Sequence, residues 1–293
     1  GEPSIRAMYS VARAEGPGPS HAAVFGDPLT IGSAAMLNAS MAFALDYDDM
    51  YEPARLHAGA SLVPTILSLA QSGLSFSGRD MICAMAAALE ICGRLGTHMI
   101  RRNPREVMGG WDYASLFGYL LSAISAARLM GLDAAGIHNA MGLAYHQCAG
   151  TSISAMDGAD SKIYGPGFAA RGGILSAQLA AAGATGGKRL FDETSISMAS
   201  QYHGGCETGA LTDKLGARWE MLSLGFKAYP CCRLLHRQID AALSLVQQYD
   251  ISPDEVTRIE IGACPINQNM LRRSSENLSP PNRLTAQFSI PWT

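Results

Sequence analysis

From about residue 31 to residue 220 the chain is a succession of apolar runs written in alanine, glycine and serine. They read "IGSAAMLNASMAFAL", "SLVPTILSLAQSG", "SGRDMICAMAAALEICGRLG", "SLFGYLLSAISAARLMGLD", "AAGIHNAMGLAYHQCAG" and "GFAARGGILSAQLAAAGATG". Each is too long for an ordinary strand, so helices are the reading that fits. Stop and start signals agree with it: Gly131 closes one run and Asp133 caps the next. Pro64 is expected in the first turn of its helix, with Gly73 ending it. Side chains this small let neighbouring helix backbones approach closely. The stretch "SGRDMICAMAAALEICGRLG", apolar on nearly every face, is expected to be central to the core. Residues 192–218, polar and turn-rich, are expected to form surface loops or short helices.

Near residue 225 the pattern changes. "KAYPCCRLLHRQIDAALSLVQQYD" reads as one amphipathic helix with Pro230 at its start, and Val256, Ile259 and Ile261 in "SPDEVTRIEIGAC" suggest a strand. The expected fold is therefore mostly α: a large all-helical domain over 1–224, followed by a smaller, truncated α/β domain over 225–293. The chain opens on Gly1 and stops at "FSIPWT" in mid-pattern, so one or both ends are expected to have been cut.

Charged residues make up 16% of the chain, against about 25% in a typical domain. So few charges beside 48% hydrophobic residues suggest outer faces covered in an oligomer. A net charge of −3 without a basic run gives no electrostatic reason to expect nucleic acid or an anionic membrane as partner. The seven cysteines form no regular framework, which points to free thiols in a reducing, cytoplasmic setting. The longest apolar stretches are too short to span a bilayer, and no signal-peptide pattern opens the chain.

Four constellations can carry chemistry. In "FALDYDDMYEPARLHAGAS", Asp46, Asp48 and Asp49 gather where a helix ends, at the negative pole of its dipole. Such clustering is unfavourable, so a positive partner is expected there. Asp46 suits a general base or a cation holder, and His57 a proton shuttle; solvated helix-end acids beside Arg55 are the plain alternative. In "DGADSKIYGPGFAARGG", Lys162 stands just before a Gly-Pro-Gly turn expected to open a helix, where free N–H groups and an ammonium favour an anion; a tight turn with a solvent-facing lysine is the alternative. In "FKAYPCCRLLHRQID", Cys232, His236 and Asp240 recur every four residues and are expected on one helix face, near Lys227. No further Cys or His pair completes a zinc site, so no metal is expected. In "GGWDYASLFG", Asp112 is placed to cap a helix.

Taken in this order, these stretches resemble the MmgE/PrpD family, which includes 2-methylcitrate dehydratases, cis-aconitate decarboxylase and iminodisuccinate epimerase. The resemblance runs from "AAMLNASMAFALDYDDM" to "NRLTAQFSIPW" and is sharpest in "ALDYDD", "LHAGASLVP", "DGADSKIYGPGFAARGGILSAQLA" and "FKAYPCCRLLHRQIDAAL". It implies a homodimer of mostly helical subunits with a smaller α/β lid domain, acting on small di- or tricarboxylates with no metal or organic cofactor. Its members are longer at both ends. Asp46 matches the first aspartate of the family's active-site motif, His57 the proton-transfer histidine, and Lys162 and Lys227 the lysines suited to carboxylate binding.

Four positions depart from the pattern. Met50 replaces the motif's threonine, Asp112 replaces a histidine, Cys232 stands where the decarboxylase has histidine, and no tyrosine lies near Gln268. A pocket that loses two imidazoles and gains a carboxylate is less cationic, which argues against cis-aconitate decarboxylation. The expected activity is that of a cofactor-independent lyase removing water from a hydroxy-carboxylate such as a 2-methylcitrate-like acid. Lys162 and Lys227 would stabilise the developing negative charge, His57 would move the proton, and Asp46 would orient it or set its pKa. An isomerase, epimerase or decarboxylase of a related acid needs the same parts. A non-catalytic paralogue that only binds a carboxylate is the alternative of another class.

Overall fold

The computed structural model of the chain describes residues 2–102, 110–192, 196–203, 208–262 and 278–293. They are mostly helical, with little sheet. The chain divides into two compact units. The larger takes Gly1–Ala44, Asp48–Thr151 and Ile163–Phe226; the smaller takes Leu45–Tyr47, Ser152–Lys162 and Lys227–Thr293. The smaller unit is thus not one run of sequence, since two short insertions from the N-terminal half belong to it.

In the larger unit, α1 (Pro3–Ala14) leads into a two-residue hairpin, β1 (Ser20–His21) with β2 (Pro28–Leu29), and then α2 (Ile31–Phe43). Thr30 caps α2 by accepting the Ser33 N–H. After the aspartates come β3 (Asp49–Tyr51), α3 (Ala58–Ala70), α4 (Gly78–Arg102), α5 (Tyr113–Leu129) and α6 (Ala134–Tyr145). Asp112 and Asp133 cap α5 and α6 through their side chains, as expected. Pro64 lies inside α3 rather than in its first turn, because that helix already starts at Ala58.

The helix at the centre is α5, and the expectation for α4 is corrected. Every residue of α5 except Tyr119 and Arg128 is buried. By contrast, α4 turns Ala84, Ala88, Cys92, Leu95 and Met99 inward but leaves Ile82 68% exposed. Apolar composition alone did not separate the two. What qualifies α5 is its small residues, which accept helices on several sides. A Cβ on Gly118 would lie 2.8 Å from that of Ala169, and one on Gly173 would lie 2.4 Å from the Ser122 Cβ.

Ala169 and Gly173 belong to α8 (Ser161–Ala181), which follows α7 (Ile153–Asp157). Gly165, Pro166 and Gly167 do not open this helix; they lie within it. They are glycines for closeness rather than for turning: a Cβ on Gly165 would sit 2.0 Å from Ser115 Oγ, and one on Gly167 2.4 Å from Ser40 Oγ. The expected anion-binding turn is therefore absent, and Lys162 sits in the first turn of α8. Beyond it come the short helices α9 (Met198–His203) and α10 (Thr208–Thr212), and then β4 (Leu224–Phe226). β4 pairs antiparallel with β3, Asp49 opposite Phe226 and Tyr51 opposite Leu224.

In the smaller unit α11 runs His236–Tyr249 and α12 runs Arg283–Ala286. A small apolar cluster of Cys231, Leu235 and Ile290, with Tyr229, Leu234 and Ile239 against it, holds the unit together. The predicted helix from Pro230 is shorter than expected. Cys232 has extended dihedrals, a 3-10 turn covers Arg233–Leu235, and the α-helix begins only at His236. The Cys232 N–H is instead committed to Gln287 O at 2.9 Å, a tertiary bond that outweighs local helix propensity. The strand expected at Val256–Ile261 is not formed. Residues 256–262 have no regular structure, and Ile259 is 76% exposed, since the described residues offer that segment no neighbouring strand. Cys83, Cys92, Cys148, Cys231 and Cys232 are free thiols; Cys206 and Cys264 lie outside the described residues. No helix among the described residues is long and apolar enough to cross a membrane.

Candidate active site

The three aspartates after α2 take three different partners. Asp46 belongs to the smaller unit, where the chain turns through a left-handed conformation at φ 51°. Its carboxylate is buried between two ammonium groups: Lys162 Nζ lies 2.5 Å from Oδ1 and Lys227 Nζ lies 2.8 Å from Oδ2. Lys227 also donates to the Asp46 backbone oxygen at 2.9 Å. Both lysines are themselves buried, at 7% and 6% exposure. Buried charges persist only when paired and hydrogen-bonded, and here one carboxylate serves two cations. The arrangement gathers two ammonium groups within hydrogen-bond reach of a single side chain.

Several groups of the smaller unit enclose this centre. The Phe288 ring faces Lys162 Nζ at 5.2 Å from its centroid, within cation–π range. Burial, reinforced by the Asp46 charge, pushes the Cys231 thiol up to about 11 and the Cys232 thiol up to about 12. Both remain neutral thiols near neutral pH and are unsuited to nucleophilic attack. His236, at the start of α11, is buried; its Nε2 lies 3.4 Å from Cys231 O and its ring meets Tyr229 edge-on at 5.1 Å. Burial holds the imidazole below its ordinary pKa. Cys232, His236 and Asp240 do not form one helix face, because Cys232 precedes the helix; Asp240 accepts from Tyr229 Oη at 2.6 Å.

The larger unit holds a second arrangement. His57, just before α3, places Nδ1 2.8 Å from Asp48 Oδ2, with Phe43 edge-on to the ring at 5.2 Å. The carboxylate that orients His57 is thus Asp48, and the expectation that Asp46 does so is corrected. A buried carboxylate at Nδ1 fixes the proton there and leaves Nε2 as the basic nitrogen. Asp49 accepts the Gly59 N–H, at 2.9 Å on Oδ1 and 3.1 Å on Oδ2. Desolvation raises its pKa, with the neighbouring Asp48 adding to the shift against the Gly59 hydrogen bond. Met50 sits in β3 opposite Gly225, half-buried. Asp112 is engaged by the first turn of α5: Oδ1 accepts from Ala114 N at 3.2 Å and Oδ2 from Ser115 Oγ at 2.5 Å. Gln268 lies outside the described residues. Among the described residues no three of His, Cys, Asp and Glu converge as metal ligands would.

The family model for the MmgE/PrpD N-terminal domain matches residues 1–207, and that for the MmgE/PrpD C-terminal domain matches residues 229–293. The chain belongs to the MmgE/PrpD family. Among curated MmgE/PrpD relatives, a cis-aconitate decarboxylase of Aspergillus terreus is 27% identical over 245 residues, covering 80% of this chain and 49% of its own length. The cis-aconitate decarboxylase-like protein oryM of Aspergillus oryzae is 27% identical over 261 residues, covering 85% and 52%. The human cis-aconitate decarboxylase is 26% identical over 217 residues, covering 72% and 44%. The chain spans about half the length of the curated relatives it matches.

Asp46, Lys162 and Lys227, each a separate candidate in the sequence, converge. Asp48, Gln287 and Phe288 are not singled out by the sequence as functional groups. Asp48 was marked by nothing more than lying among three similar acids. Phe288 and Gln287 carry no spacing signal toward Asp46, from which they are separated by most of the chain.

Proposed function

We propose that this MmgE/PrpD protein is a cofactor-independent lyase acting on a small hydroxy di- or tricarboxylate, such as a 2-methylcitrate-like acid, and eliminating water. The observation that carries the proposal is the buried Lys162–Asp46–Lys227 trio, which fixes two ammonium groups around one carboxylate. Lyase chemistry of this kind removes a proton α to a carboxylate, and the electron pair flows into that carboxylate as an aci-anion. Lys162 and Lys227, fixed in place before the reaction, stabilise that charge as it develops, while Asp46 keeps the two cations close together. His57 is the proposed base: Nε2 takes the α-proton, Asp48 steadies the imidazolium, and the β-hydroxyl leaves as water when that imidazolium passes the proton on to it. The double bond formed and the C–H and C–O bonds broken balance without an oxidant or reductant.

A second reading has a specific observation behind it, because the relatives named above are called cis-aconitate decarboxylases. Decarboxylation of an unsaturated tricarboxylate passes through a similar carbanion, and the same lysines would stabilise it. Asp112 and Cys232, which replace imidazoles, weigh against this reading by making the chain less cationic.

The test is a panel of hydroxy-, unsaturated and amino-di- and tricarboxylates, followed by alkene absorbance, released carbon dioxide and proton exchange in deuterated solvent. Alkene formation from a hydroxy acid supports the dehydratase. Carbon dioxide release points to the decarboxylase, and deuterium entering recovered substrate without elimination points to an isomerase. Binding of a panel acid that survives His57→Ala, with no turnover of any panel member, would show a carboxylate-binding protein instead.

A further inference from the structure

Asp46 and Lys227 come from segments far apart in sequence, and something must hold their backbones in register. Gln287, directly after α12, has the geometry to do this. It is buried at 6% exposure. Its Nε2 donates to Leu45 O at 2.7 Å and to Pro230 O at 3.3 Å. Leu45 is the residue before Asp46, and Pro230 stands three residues after Lys227. The Gln287 backbone oxygen accepts the Cys232 N–H at 2.9 Å. Its Oε1 accepts from Arg283 at 3.2 Å, which fixes the amide with Nε2 turned toward the two carbonyls. The next residue, Phe288, puts its ring against Lys162.

We propose that Gln287 is a positioning residue that ties the Asp46 loop to the Lys227 segment and thereby sets the spacing of the two lysines. One amide with two N–H donors can bridge two carbonyls that belong to different segments; a hydroxyl, with a single donor, cannot. Gln287 touches none of the reacting groups proposed above and acts only through the backbone on either side of them. Its significance for catalysis rests on the carboxylate-binding role proposed for the lysines, whereas the geometry is testable without any substrate.

The chain has four lysines, Lys162, Lys188, Lys214 and Lys227, and Lys188 and Lys214 are exposed. Acetylation by a water-soluble N-hydroxysuccinimide ester, followed residue by residue by mass spectrometry, therefore carries its own internal standards. Gln287→Met keeps the side chain's length and removes the donor. The expected result is that Lys227 and Lys162 acetylate roughly tenfold faster, as when a local opening equilibrium moves by a decade, while Lys188 and Lys214 are unchanged. Alkylation of Cys92, which is 0% exposed in the core of the larger unit, reports global opening and should not move. Unchanged Lys227 and Lys162 rates would overturn the proposal. So would a rise that merely tracks Cys92, since Gln287 would then support only the fold. Failure of the lyase reading shows separately, as absence of turnover across the acid panel by the unaltered protein.

Discussion

Lys227 binds Asp46 twice, at Oδ2 over 2.8 Å and at the backbone oxygen over 2.9 Å, across a separation of 181 positions. These two hydrogen bonds hold Asp46 in the left-handed conformation that aspartate tolerates better than most residues. The ammonium secures the backbone carbonyl and the carboxylate together, and Lys162 takes the remaining carboxylate oxygen.

Charge removal at this centre should be asymmetric. Asp46→Asn leaves two buried ammonium groups without their shared counter-ion and should destabilise by about 3–5 kcal/mol. Asparagine tolerates the left-handed conformation, so the change isolates the charge. Lys227→Met leaves Asp46 paired with Lys162 and should cost less. Urea denaturation midpoints compare the two, and an Asp46→Asn loss no larger than that of Lys227→Met would contradict the shared-counter-ion picture.

His57 and Asp48 should act on turnover rather than on folding. With any panel acid that is turned over, His57→Ala should lower kcat about a hundredfold to ten-thousandfold. Asp48→Asn should lower kcat with KM nearly constant, because an amide can donate to Nδ1 and select the wrong imidazole tautomer. Steady-state kinetics beside a melting curve check this. Loss of activity that appears only together with a lowered Tm would assign the pair to structure.

His236 gives a prediction in pH. Burial lowers its folded-state pKa below the ordinary 6.5. Below pH 6.5 the unfolded chain therefore binds a proton that the folded one still refuses, and stability falls as pH drops through that range. His236→Phe keeps an aromatic edge against Tyr229 and removes the titration. Its Tm should decline less than that of the unaltered protein between neutral pH and mildly acidic pH. Parallel slopes would show that other groups set the acid sensitivity.

Glycine-mediated helix contact can be tested at Gly165. An added Cβ there would meet Ser115 Oγ at 2.0 Å, with the Ser115 Cβ at 3.3 Å behind it. Gly165→Ala should destabilise by about 1–3 kcal/mol through overpacking. Adding Ser115→Ala removes the obstructing oxygen and should recover part of the loss, a coupling that a double-mutant cycle on thermal stability measures. Simple additivity would mean that the helices separate instead of the hydroxyl being in the way.

Much of the helical framework was legible in the residues. Asp112 and Asp133 announced their helices, because capping is a local hydrogen bond between neighbours in sequence. Gly165-Pro166-Gly167 misled for the same reason. Glycine and proline signal a turn locally, but here Ser115 and Ser40, distant in sequence, require the absence of a Cβ. Cys232 lies in a helical sequence pattern, but its N–H bonds to Gln287 O from far along the chain, and the segment 256–262 lacks a neighbouring strand among the described residues, which its own residues cannot reveal.

By itself the sequence determined the small-residue helices, the crowd of acids after α2 and the chain's membership in its family, since these depend on residue type and short-range spacing. Only the tertiary structure decided which acid meets which base. Asp46 is joined to Lys162 and Lys227, Asp48 to His57, and Asp49 to the Gly59 N–H. The three carboxylates are chemically alike and nearly adjacent, so no local rule distinguishes them. Their partners are chosen by where the packed backbone delivers the opposing charge, because burial makes an unpaired carboxylate too costly to keep.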